Sequence, residues 1–530
     1  MKKLPALFIL AAAMTPALHA ELKLPAIIGD HMVLQQKQSN PIWGWDAPGT
    51  KVTVTFAGQS KSADAGTDGK WTVKLDPVPA NAQPQKITIA GTNTREIQDV
   101  LVGEVWMCSG QSNMGFTLGG DWNGDIEAAA SKIPNLRLIK VPNVGSQELK
   151  DEFKGEWKSS TAESSTYFSA VGFMFGRYLQ KILDVPVGLI DNAWGGSSCE
   201  AWVRRESLEK DPRFKLLMEN TVKQEEFIKT PKAQEDFKKA LEKWNVDSEK
   251  AKAEGRPAPR KPETPESWLT NRARPGNIFG GVLYPTLGYG IKGVVWYQGE
   301  SNAGRAYEYA SLFPFMIEEW RKEWKQGNFP FYWVQLADYQ PERAEPGDSA
   351  WAEIRESQTK TQKLPNTGQA VIIDLGEGKD IHPKNKHDVA ARLVRWALAK
   401  DYGLNFPYRS PELKDVKFDG AKATVTLDCF GGVLRPFDVE EARGFAVCGE
   451  DKKWHWAKGW VRGNDKVEVW CDEVPKPIAV RYAWSDNPIS NLTTMQGLPV
   501  TPFRTDDFDM ITKPKPPAPA PAPAPAQPQK

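Results

Sequence analysis

The chain has 530 residues, with 68 Lys+Arg against 67 Asp+Glu, 40% hydrophobic and 25% charged. That length allows about three domains of ordinary soluble type, and a net charge of +1 gives no field that would gather nucleic acid or an anionic membrane surface. The 21 Trp are many and the 5 His few, so chemistry that needs an imidazole has little to choose from.

Lys2 and Lys3, the apolar stretch Leu7 to Met14 and small residues ending at Ala20 read as a signal peptide over residues 1–20, cleaved before Glu21. The apolar run is far below the roughly 20 residues of a spanning helix. No Cys follows for a lipid anchor, and no later segment is long and apolar enough to span. The expectation is an exported protein, periplasmic or extracellular, with no membrane partner.

Residues 21–98 carry short alternating runs: Val52, Val54, Phe56, then Trp71, Val73, Leu75, then Ile87, Ile89. Turn signals such as Asp46-Ala47-Pro48-Gly49 separate them, and period-2 alternation with such punctuation predicts a small antiparallel β domain of sandwich type. Over 99–405 the texture changes. Wholly apolar runs (Val102 to Met107, Val187 to Ile190, Val294 to Tyr297, Phe331 to Leu336, Val371 to Ile373) alternate with helix patterns at Phe168 to Leu183, Ala310 to Lys325 and His387 to Ala399. Strands buried on both faces with interleaved helices predict an α/β domain built on a parallel sheet.

Residues 204–268 break that rhythm with dense Lys and Glu and a Pro-rich end, and read as a surface helical insertion whose charges form a solvated face. Alternation returns over 406–507 (Ala423, Val425, Leu427; Val467, Val469; Ile478, Val480, Tyr482), predicting a second β-rich region. Residues 508–530 end in alternating Pro and Ala, an extended disordered tail with no chemistry. Five Cys permit disulfides, but an odd count leaves at least one thiol unpaired, and no C-x-x-C supports a zinc or redox site.

In an open parallel sheet, reactive groups belong at the carboxyl ends of strands. The segments there are Ser109-Gly110-Gln111-Ser112-Asn113-Met114, Asn192-Ala193-Trp194-Gly195-Gly196-Ser197, Gln298-Gly299-Glu300-Ser301-Asn302 and Asp374-Leu375-Gly376-Glu377-Gly378-Lys379-Asp380-Ile381-His382-Pro383. They supply a hydroxyl, a Gly pair, side-chain amides and a carboxylate beside an imidazole, which is the inventory for acyl transfer. The histidines locate the base. His19 leaves with the signal peptide, His31 and His455 fall in β regions, and His387 opens a helix pattern in a surface or capping role. His382 remains, in a loop two residues from Asp380.

These four blocks resemble the SGNH (GDSL-like) hydrolase superfamily, and within it the sialate O-acetylesterase family of carbohydrate esterases, over roughly residues 21 to 507. The resemblance implies an SGNH-hydrolase-like parallel sheet flanked by helices, with N-terminal and C-terminal β-sandwich-like regions. It implies Ser112 as nucleophile, His382 as base, and removal of O-acetyl groups from sialic acids without metal or organic cofactor. The oxyanion would be met by the backbone N–H of Ser112, that of Gly195 or Gly196, and a side-chain amide.

Two departures from the superfamily pattern leave alternatives open. Ser301 stands where the usual oxyanion Asn would be, so the amide is Gln298 or Asn302, with Gln298 preferred. Position 379 is Lys, where an acid usually precedes the base by three. Asp380 is therefore taken as the orienting acid, with Asp374, a backbone carbonyl or a bare dyad as alternatives. Gln111, Asn113, Trp194, Glu300 and Arg305 are candidates for the O-acetylated sugar, Arg305 for a sialate carboxylate. The competing readings are an acetylesterase for another polysaccharide such as xylan, and a carbohydrate-binding protein without catalysis. Residues Gly110-Gln111-Ser112-Asn113-Met114 lack the Gly-x-Ser-x-Gly elbow of lipases and proteases.

Overall fold

The computed structural model describes residues 21–514; the predicted signal peptide and most of the Pro/Ala tail lie outside them. At the centre is a sheet in the order Thr367–Ala370, Phe331–Val334, Gly293–Tyr297, Thr94–Gly110, Val187–Asp191, Ile133–Lys140, Lys158–Ser160. All neighbours are parallel except the last pair. Val187–Asp191, Gly293–Tyr297 and Phe331–Val334 are buried at every position, the pattern of strands covered on both faces. Helix Ala170–Leu183 packs on Lys386–Lys400, and Ala306–Trp324 on Ala350–Lys360.

Three of these helices match the sequence patterns within a few residues; Ala350–Lys360 and the strand Ile133–Lys140 are additions. The run Val371 to Ile373 is not the strand expected of it. The strand is Thr367–Ala370, and the apolar run lies beyond its end because it serves two cores: Ile372 joins the main one, Val371 and Ile373 that of the C-terminal region.

The β regions follow their alternation except at the run Ile478, Val480, Tyr482, where Ile478 is exposed ahead of a strand, Ala479–Tyr482, that is buried at every position. Lys51–Phe56 and Lys70–Leu75 bury every second residue. The N-terminal region pairs Asn40–Trp45 with Lys70–Leu75; Val33–Gln35 and Asn81–Ala90 lie beside the first half of Thr94–Gly110, and Lys51–Phe56 and then Gln59–Asp64 extend the sheet outward from Asn81–Ala90. The expected boundary at residue 98 therefore falls inside one continuous strand of 17 residues, whose burial turns from interrupted to unbroken as it passes into the central sheet. The C-terminal region is a seven-stranded antiparallel sheet between Glu412 and Arg504. Residues 204–268 hold three α-helices, Arg205–Lys210, Lys215–Phe227 and Pro231–Ala253.

Two expectations change. The tail begins later than 508: Ile511 and Thr512 donate backbone N–H groups to Glu353, and Arg504 donates to the Phe508 carbonyl. All five cysteines are unpaired.

Candidate active site

Thr94–Gly110 comes first in sequence of the seven strands of the central order, yet sits inside it, with Gly293–Tyr297 on one side and Val187–Asp191 on the other. Its carboxyl end is thus a topological switch point, where an open α/β sheet leaves a crevice. Gly110 ends the strand at φ +132 with its Cα against the Tyr297 carbonyl, so a side chain there would collide with backbone. The Gln111 N–H donates to that carbonyl at 2.8 Å, and the chain then turns into the one-turn helix Ser112–Gly115. Ser112, partly exposed, opens that helix.

His382, in the loop that follows the edge strand Thr367–Ala370, reaches Ser112 with Nε2 2.8 Å from Oγ. Its loop is closed on itself: the Asp380 N–H donates to the Glu377 carbonyl, and the Lys384 N–H to Glu377 Oε1. Asp380 is 3.5 Å from His382 Nδ1 and accepts the His382 backbone N–H at 2.9 Å. That N–H holds the Asp380 carboxyl below the usual carboxylate range. Asp374, the alternative acid, is not at the ring: both its oxygens accept from the Arg392 guanidinium, at 2.5 and 2.7 Å.

Behind the serine lies a buried polar group that sequence reasoning read partly as substrate contacts. Asn113 Nδ2 donates to Glu300 Oε1 at 2.6 Å and to the Ile381 carbonyl at 3.0 Å, so it ties the nucleophile's helix to the histidine's loop. Its Oδ1 accepts from Lys386 Nζ at 2.6 Å. Lys386 is wholly buried, over the rings of Phe116 and Tyr297; burial pushes its ammonium down to about 7 and the Glu300 carboxyl up. Below pH 7 the lysine is charged in both states, so its burial opposes folding most there, and the penalty fades as pH rises toward the unfolded value near 10.5. Lys386→Met, which keeps the bulk without the charge, should raise Tm more at pH 6 than at pH 9. It should also lower kcat on 4-nitrophenyl acetate about 10-fold through a loosened Asn113; melting curves and initial rates check both, and a Tm that falls at both pH values would show the ammonium to be a net structural tie.

The Gly pair stands next to Ser112. The Trp194 N–H donates to the Gly110 carbonyl at 2.9 Å and Asp191 Oδ1 accepts the Ala193 N–H, which folds the loop back over the strand end. A methyl built on Gly195 would lie 3.4 Å from Ser112 Cβ. Among the described residues the backbone N–H groups of Ser112, Gly195 and Gly196 find no acceptor. Gly195 stands against Ser112 and Gly196 follows it in the chain, so uncommitted donors of the kind an oxyanion requires lie close to the nucleophile.

The amides are placed elsewhere. Gln298 Nε2 gives its hydrogens to the Ser197 carbonyl and to Asn302 Oδ1, while Asn302 Nδ2 donates to Glu200. Both are fully buried and committed, because the segment after Gly299 must satisfy its own polar groups inside the core. Gln111 is likewise support: its Oε1 accepts from the Gly299 and Ser301 N–H groups. Arg305 is locked between Glu200 and Glu308, each at 2.5 Å, and not with Glu300. Trp194 is only partly buried and remains on the rim. His387 neither caps its helix, which Asn385 does, nor lies free; its Nε2 is 2.5 Å from the Tyr178 hydroxyl.

Sequence reasoning missed three groups. Lys386 gave no sign of burial in a polar stretch. Trp122 is 65% exposed and its backbone N–H donates to the Lys384 carbonyl, which places the residue next to the His382 loop. Arg272, which follows the charged insertion, lies against Gly196.

The family model for carbohydrate esterases described as sialic acid-specific acetylesterase matches residues 284–395. Sialate O-acetylesterase of Mus musculus is 30% identical over 88% of this chain and 90% of its own length, and that of Rattus norvegicus 31% over 88% and 90%. The crystal structure of a carbohydrate acetylesterase from Xanthomonas citri aligns with a TM-score of 0.77 at 34% identity, covering 92% of this chain and 100% of the other.

Proposed function

The chain belongs to the sialate O-acetylesterase family of carbohydrate esterases, and from that premise we propose that it removes O-acetyl groups from sialic acids through an acetyl-serine intermediate on Ser112. The observation that carries this reading is the 2.8 Å contact between Ser112 Oγ and His382 Nε2 beside three uncommitted backbone donors. The Ser112 hydroxyl passes its proton to His382 Nε2 as Oγ attacks the acetyl carbonyl. The developing oxyanion accepts from Ser112, Gly195 and Gly196, each such donor being worth roughly 100- to 1000-fold in turnover. As the C–O bond breaks, His382 returns the proton to the departing sugar oxygen; water then attacks the acetyl-enzyme with His382 again as base, releasing acetate and restoring the serine. Asp380 stands near enough to Nδ1 to favour the tautomer with Nε2 unprotonated. The exposed indole of Trp122 offers an apolar face for the sugar. The N-terminal segment Lys2 to Ala20 supports a site of action outside the cytoplasm.

A second reading, deacetylation of a neutral glycan such as xylan, is favoured by the likeness to the Xanthomonas citri enzyme, which is named only a carbohydrate acetylesterase. An acetate-release assay separates the two. Release from 9-O-acetylated sialic acid is the expected result; release from acetylated xylan alone would overturn the substrate while leaving the acyl-transfer chemistry standing.

A further inference from the structure

Resting on that reading, we propose that Arg272 is the residue that recognises the carboxylate of the sialic acid and so sets the preference for an anionic over a neutral acetylated sugar. Gly196, at φ +71, has the Arg272 guanidinium where a side chain would begin: a methyl built there would lie 2.6 Å from Nε and 3.4 Å from Cζ. Gly195 touches Ser112 in the same sense, and consecutive Cα atoms are about 3.8 Å apart. The cation therefore stands on the lip of the site that holds the nucleophile, against the glycine next in the chain to the one that touches Ser112.

What distinguishes Arg272 is that its backbone is fixed and its charge is not used. The carbonyl of Arg272 accepts from Ser198 N–H. On one side Asn271 is held twice, its carbonyl by buried Asn277 and its Oδ1 by the Ala273 N–H, at 2.9 and 2.8 Å. On the other, Arg274 donates to Glu225 and to the Leu269 carbonyl. Yet among the described residues the Arg272 guanidinium has no hydrogen bond and no carboxylate partner, and the side chain is partly exposed. Four other arginines behave otherwise: Arg274 and Arg204 are each paired with a glutamate, and Arg205 and Arg305 with two.

A held arginine with its fork of donors left open, at the mouth of a site for an acetylated sugar, matches a planar carboxylate through two parallel N–H···O bonds. Sialic acid carries one and xylan does not. The position also gives the charged insertion a task, since the segment that follows it brings Arg272 against Gly196, in the loop Trp194 to Ser197.

The test compares wild type, Arg272→Ala and Arg272→Gln on three acetyl donors: 9-O-acetylated sialic acid, the same sugar with its carboxylate converted to a carboxamide, and 4-nitrophenyl acetate, with acetate read directly. Loss of a charged hydrogen-bond pair is worth about 10- to 100-fold. Both variants should raise KM for the sialate by that factor, leave kcat and the nitrophenyl ester unchanged, and turn over the carboxamide as wild type does. Wild type should lose the same factor on going from the sialate to its carboxamide. Equal losses on all three donors would overturn the proposal in favour of an oxyanion or structural role, as would an unchanged KM for the sialate. Wild type that cleaves the nitrophenyl ester but neither sugar would instead sink the sialate reading itself and this inference with it, a pattern visible before any variant is made.

Discussion

Ser112→Ala should lower kcat on 4-nitrophenyl acetate by roughly 10^4- to 10^6-fold, the size of loss expected when the nucleophile of an acyl-transfer site is removed. Among the described residues the side chain makes no bond except to His382, and that histidine is 37% exposed, so its freed Nε2 turns to water without a desolvation cost. Stability should therefore stay within about 0.5 kcal/mol of wild type, and labelling by a serine-directed fluorophosphonate should vanish. A variant that melts normally and still turns over within 10-fold of wild type would remove Ser112 from the chemistry.

His382→Ala should cost about 10^3- to 10^5-fold in kcat, and combining it with Ser112→Ala should add almost nothing, because the two residues carry one step between them. The same series ranks the acids. Asp380 is 44% exposed and 3.5 Å from Nδ1, so solvent competes for the contact, and Asp380→Asn should cost only about 10-fold. Asp374→Asn should leave kcat within about 2-fold, since its carboxylate serves Arg392. An Asp380→Asn loss as large as that of His382→Ala would make the acid an equal member of a strict triad.

Much of the site was legible because chemistry in a parallel sheet concentrates where strands end. The runs ending at Met107, Ile190 and Tyr297 are apolar for a reason visible one residue at a time, burial on both faces, and the polar residues after them can only lie at the crevice. Counting histidines did the rest. What the sequence could not separate was a polar residue that faces the substrate from one that faces its neighbours: Gln298, Asn302, Asn113 and Glu300 carry donors and acceptors suited to either task. The choice is made by partners more than 100 positions away, such as Glu200 for Asn302 and Ile381 for Asn113. Arg272 was hidden for the opposite reason. It sits in a stretch where charge is common, and only the absence of an acidic neighbour in three dimensions marks it out. Val371 to Ile373 misled because an apolar run reports burial and not what does the burying.

The unbroken strand Thr94–Gly110 makes the serine's address depend on sequence far upstream of it. Its first half is paired by Asn81–Ala90 and Val33–Gln35, its second by Val187–Asp191 and Gly293–Tyr297. During synthesis the upstream partners emerge first and the last downstream partner about 180 residues later, which at roughly 5–20 residues per second is a wait of about 10 to 40 seconds. Until Val187–Asp191 emerges, about 80 residues after the strand ends, only the upstream pairing can keep the rod straight and its open edges out of wrong company. Afterwards the same pairing forbids a hinge between the two regions, so a truncation that begins at residue 99 would not release a free-standing catalyst but would cut the beam on which the nucleophile is mounted.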